Sequence, residues 1–66
     1  MTKFFIFATN DDNMYYYNFE DIVCVRFYKD ESYHMTMTTK YCGVETFDFD
    51  SYEAFETAIG SYRGIH

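Results

Sequence analysis

Proline and tryptophan are absent from the 66 residues, and glycine occurs only at Gly43, Gly60 and Gly64. With no proline and no Gly/Ser-rich stretch there is no linker signal, and no internal repeat or low-complexity tract divides the chain, so residues 1–66 read as one compact domain. Three isolated glycines also exclude a glycine-rich phosphate cradle. Cations are scarce. Lys3, Arg26, Lys29, Lys40 and Arg63 face eleven Asp and Glu, for a formal charge of −6 and a pI near 4.5. Dispersed bases without a stripe argue against direct binding of nucleic acid or of an anionic membrane, and the acidic balance favours partners with a basic surface.

Long apolar runs are missing as well. Lys3 precedes Phe4-Phe5-Ile6-Phe7-Ala8, but that run stops after five residues at Thr9-Asn10-Asp11-Asp12. It is too short for a signal-peptide core or a membrane span, which predicts a cytoplasmic location. In that compartment Cys24 and Cys42 are expected to be reduced and to serve as small apolar side chains.

Aromatic side chains are what the chain has in excess. Eight Phe and eight Tyr make up 24% of it. Each ring buries on the order of 150–250 Å², more than a domain of this length can hide for all sixteen. Several rings are therefore expected at the surface, where a contiguous aromatic patch marks an interaction site.

The pattern of residues predicts an α+β fold, with an antiparallel sheet of four to five strands and one C-terminal α-helix packed on one face. Residues 3–9 are aromatic and β-branched, the cluster Asn10-Asp11-Asp12-Asn13 suits a turn, and Met14 to Phe19 completes a hairpin. Between Asp21 and Lys29, Val23, Val25 and Phe27 alternate with Cys24, Arg26 and Tyr28, the sign of a half-buried strand. Asp30-Glu31-Ser32 then turns into Tyr33, Met35 and Met37, which alternate with His34, Thr36 and Thr38. Gly43 interrupts the pattern, and 44–49 resumes it with Phe47 and Phe49 as core residues and Glu45 at the sheet margin.

After Asp50 the period becomes helical. Tyr52, Phe55, Ala58, Ile59 and Tyr62 form one stripe, Glu53, Glu56, Thr57 and Arg63 the other side. Asp50 and Glu53 suit a capping box, and Gly60 or Gly64 is the expected stop. One helix covers one sheet face. The opposite face is where Ile22, Cys24, Tyr28 and the Tyr15-Tyr16-Tyr17 run are expected to gather, which predicts homodimerisation there or at an edge strand.

Charge is uneven along the chain. Residues 1–40 carry six acids and four bases, residues 41–66 five acids and one base. Asp48 and Asp50 fall on one strand face about 6.6–6.8 Å apart, and Glu53 and Glu56 continue on the helix. This acidic ridge has a spacing similar to that of phosphates along a strand, so Asp48, Asp50, Glu53 and Glu56 are candidate contacts to the Lys and Arg of a nucleic-acid-binding site. An acidic surface also serves helix capping and solubility alone. Tyr15, Tyr16, Tyr17 and Tyr28 are the aromatic candidates; alternation sends Tyr16 to the face opposite Tyr15 and Tyr17, and Tyr suits interface hot spots.

Enzymatic constellations are thin. Cys24, His34, Cys42 and His66 lack the spacing that places two metal ligands on one element, and Asp48-x-Asp50-x-x-Glu53 lacks the glycine turn of a calcium loop, so neither metal nor cofactor is expected. Cys24 and His34 could face each other across a hairpin, but no oxyanion donors accompany them, and no catalytic residue is assigned.

The sequence thus predicts a non-enzymatic protein-interaction domain, an inhibitor occupying a basic site on a larger protein or complex. Short acidic aromatic-rich chains of this kind are associated, by composition alone, with phage and other mobile elements and their counter-defence. The alternative is an oligomeric module that binds a small ligand or nucleotide on the aromatic sheet face.

Overall fold

The computed structural model describes residues 3–9 and 13–65. It is an α+β arrangement of five strands and one helix. Strands β1 (Phe4–Ala8) and β2 (Met14–Asn18) form an antiparallel hairpin. Strands β3 (Ile22–Lys29), β4 (Tyr33–Thr39) and β5 (Gly43–Phe49) form a separate antiparallel meander, and helix α1 (Tyr52–Ile65) closes the chain. The single four-to-five-stranded sheet expected from the sequence is therefore corrected to a two-stranded and a three-stranded sheet. Except for Asn13, the turn expected at 10–13 lies outside the described residues.

The division originates at a 3₁₀ turn over Phe19–Asp21. Asn18 is extended and its side chain accepts from the Glu20 amide at 3.1 Å, capping the turn. The chain leaves β2 and enters β3 within three residues, and this corner separates the ladders. Phe19 N–H donates to the Lys3 carbonyl at 2.9 Å and Lys40 N–H to the Asp21 carbonyl at 3.0 Å, fixing each end of the corner.

Both the hairpin and α1 lie on one face of the meander. Phe7 meets Phe47 edge to face at 5.0 Å between ring centroids, and Tyr15 and Tyr17 meet the same ring at 5.1 and 6.2 Å. The helix brings Phe55 against Phe27, Tyr33 and Phe49, while Tyr62 joins Phe5 to Phe27. The core is the space between: Phe5, Phe7, Met35, Met37, Phe47, Phe49, Phe55 and Ala58 are buried. Edge-to-face rings add about 0.5–1.5 kcal/mol per pair beyond area burial, which suits a domain too small for a deep aliphatic core.

Period-two alternation holds through β4 and β5, where Met35, Met37, Phe47 and Phe49 point inward as expected. It fails at the start of β3. The register shifts between Ile22 and Cys24, so Ile22 packs against the core and Val23 is 65% exposed. Val23 was expected inward and Ile22 outward; the extra residue of the bulge reverses both. The connection from β4 to β5 ends on Gly43, whose φ of +69° is the left-handed conformation that favours glycine. Thr39 Oγ1 accepts from the Cys42 amide at 3.1 Å and holds that turn.

At the start of α1 the cap is Ser51, with its Oγ accepting from Ala54 N–H at 3.2 Å, in place of the box expected between Asp50 and Glu53. The helix also runs through Gly60 and Gly64 to Ile65, so neither glycine ends it. Phe55 and Ala58 anchor its inner stripe, and that tertiary contact outweighs the roughly 1 kcal/mol cost of each helical glycine.

Candidate functional site

Alternation in the hairpin sends half of its side chains away from the core. Phe5, Phe7, Tyr15 and Tyr17 face inward, and Phe4, Ile6, Met14 and Tyr16 face out, with relative exposures of 48%, 38%, 54% and 64%. Ile6 stands directly opposite Tyr16 and Ala8 opposite Met14, while Phe4 pairs with Asn18 one step along. Directly opposed side chains lie about 4.5–5.5 Å apart and diagonal ones about 7–8 Å, so the four form one contiguous apolar patch. It bears no charge. Such a patch, built from large side chains on regular backbone, has the composition of an interface centre.

Of the aromatic candidates, Tyr16 alone belongs to this patch. Tyr15 and Tyr17 stack on Phe7 at 5.3 and 6.1 Å and are part of the inner packing. The Tyr17 hydroxyl donates to Glu45 Oε2 at 3.3 Å, and its pKa is pushed up to about 12 by burial and by the Glu45 carboxylate. Tyr28 lies on the outer face of the meander, stacked on His34 at 4.9 Å and 12°. Phe4, Ile6 and Met14 were not among the candidates. The apolar run 4–8 carries no polar position to say which of its faces is covered.

The outer face of the meander differs from the expected aromatic sheet face. It carries Cys24, Arg26 and Tyr28 from β3, His34, Thr36 and Thr38 from β4, and Val44, Thr46 and Asp48 from β5. Among the described residues, Tyr28 is the one Phe or Tyr ring on this face; the exposed aromatic side chains lie on the hairpin and at Tyr41 and Tyr52. Tyr28 and Cys24 beside Arg26 hold its guanidinium above its ordinary range.

The acidic candidates are all exposed, but they do not share one strand. Asp48 is on the outer face of β5 opposite His34, Asp50 lies beyond the end of β5, and Glu53 and Glu56 are on α1. The Glu56 carboxylate beside Tyr52 raises the Tyr52 phenol, and Lys29 sits over the Tyr52 ring at 4.9 Å from its centroid. The expected 6.6–6.8 Å strand spacing of Asp48 and Asp50 is corrected, because the strand has ended at Phe49.

Neither cysteine is buried, contrary to their expected packing role: Cys24 and Cys42 are free and exposed. Cys24 pairs with Thr38 and His34 with Tyr28, so the two do not face each other across the hairpin. His34 instead lies 3.8 Å from Asp30 and 3.3 Å from Ser32 Oγ. Among the described residues no three His, Cys, Asp or Glu gather as metal ligands, and His66 lies outside them. No helix of the described residues is long and apolar enough to cross a membrane. Comparison of the chain with protein-family models, curated proteins and solved structures finds no match.

Proposed function

We propose that the domain is a non-enzymatic interaction protein of the cytoplasm that docks on a larger protein or complex and blocks a basic, nucleic-acid-binding site. The observation that supports binding most directly is the uncharged patch of Phe4, Ile6, Met14 and Tyr16 on the open side of the hairpin. Four large apolar side chains in cross-strand register are costly to leave in water, at about 25 cal/mol per Å², and a partner recovers that cost. The net charge of −6 and the exposed Asp48, Asp50, Glu53 and Glu56 support a basic partner surface, because they steer encounter with Lys and Arg and oppose approach to nucleic acid itself. This mode of action is that of an inhibitor, as in phage counter-defence, and it calls for no cofactor. Low-affinity self-association would use the same hairpin patch.

The experiment is affinity capture from cells of the source organism with wild-type chain, a Phe4→Ser/Tyr16→Ser variant, and a variant with Asp48 and Asp50 changed to Asn and Glu53 and Glu56 to Gln. The expected result is a basic partner whose retention falls steeply with salt, is lost with the hairpin variant and weakens with the amide variant. Retention of the same partner by both variants overturns the reading. Sedimentation at micromolar concentration separates self-association from it.

A further inference from the structure

The outer face of the meander contains a shallow depression of about 440 Å³, within the range of small-ligand sites. Arg26 lines it from β3, an edge strand of the meander. In register Arg26 is opposite Thr36, which is opposite Thr46, and Thr38 lies one pair further along. Val23 and Val44 form one end of the depression and Tyr28 the other.

The chemistry here is unlike that of the rest of the surface. The chain has eleven carboxylates for five Lys and Arg, yet among the described residues Arg26 forms no ion pair. Its neighbours along β3 are a thiol and a phenol, and those across the ladder are hydroxyls. Asp48, the carboxylate on this face, is on β5 opposite His34, one strand beyond β4 and one pair along from Arg26. A guanidinium presents a planar fork of donors matched to an oxyanion, and threonine hydroxyls add donors that rotate to suit it. The bulge that turns Val23 outward supplies an apolar wall beside this polar centre.

We propose that this depression binds a small phosphate monoester of the nucleoside monophosphate class, with the phosphate on Arg26 and the Thr36 and Thr38 hydroxyls and the planar body against Val23 and Val44. The site is separate from the hairpin patch. Its success or failure therefore leaves the docking proposal untouched.

The test is an amide NMR titration of the full chain with adenosine monophosphate, inorganic phosphate and adenosine, each to ~10 mM, beyond the ~1 mM affinity expected of a shallow site. Saturable shifts centred on residues 24–28 and 36–38 are expected with adenosine monophosphate, and weaker ones with phosphate at the same amides. Adenosine should give none. Arg26→Gln should weaken binding at least tenfold while the remaining spectrum overlays that of the wild type. If that variant is misfolded, Thr36→Val/Thr38→Val, which keeps strand propensity, should weaken binding severalfold. The proposal is overturned if adenosine monophosphate gives no saturable shift, if adenosine binds as well as its monophosphate, or if the folded variants bind as wild type does.

Discussion

The hydroxyl of Tyr17 on β2 donates to the carboxylate of Glu45 on β5 at 3.3 Å, spanning the seam between the two sheets. Burial and that carboxylate raise the Tyr17 pKa from 10.0 to about 12. The native state therefore holds the proton to higher pH than the unfolded chain does. This contribution is complete below pH 10 and is lost as pH rises from about 10 to 12, by an amount on the order of 1 kcal/mol after allowance for solvent screening. Urea unfolding across that range should show the loss, and Tyr17→Phe should flatten it.

Phe7 and Phe4 are three residues apart on one strand and should behave oppositely. Phe7→Ala opens a void among Phe47, Phe49 and Tyr15 and should cost about 3–5 kcal/mol, enough to unfold a domain of this size. Phe4→Ala removes an exposed ring and should change stability by within about 0.5 kcal/mol, as read by thermal denaturation.

Gly60 and Gly43 make a second contrasting pair. A Cβ added at Gly60 meets nothing within 4 Å, and the residue is helical, so Gly60→Ala should stabilise by about 0.5–1 kcal/mol. Gly43 has equally open space but a φ of +69°, so Gly43→Ala should destabilise by about 1–2 kcal/mol. Paired denaturation curves check both signs.

Ser51→Ala removes the acceptor for Ala54 N–H and should cost about 1 kcal/mol. Asp50→Asn leaves that hydrogen bond in place and should cost a few tenths of a kcal/mol at low salt, since Asp50 acts only through the helix dipole. Helix-resolved amide exchange should show faster exchange in the first turn for the serine variant alone.

Strand content was legible where alternation is chemically sharp. In β4, Met35 and Met37 point inward and Thr36 and Thr38 outward as their polarity requires, while Thr39 at the strand end is buried. The division into two sheets was not legible, because it depends on which strands pair across the Asn18-capped corner, a non-local choice that leaves no period in the sequence. Val23 was misplaced because a bulge inserts a residue without a proline or glycine to mark it. Gly60 was misread because local propensity was outweighed by packing at Phe55 and Ala58. At the candidate site Tyr16 was visible through its alternation with Tyr15 and Tyr17. Its neighbours Phe4 and Ile6 were not, since phenylalanine and isoleucine read as core on either face until the covered side is known.

The hairpin has a consequence for how the protein can change. Phe5, Phe7, Tyr15 and Tyr17 hold the fold, and Phe4, Ile6, Met14 and Tyr16 alternate with them while supporting none of the buried core. Core packing and solvent exposure are interleaved at every second residue, with almost no position serving both. Substitutions among the outward four are therefore nearly free in stability, and a lineage can rewrite the chemistry of that outer surface while the inward four keep the architecture constant.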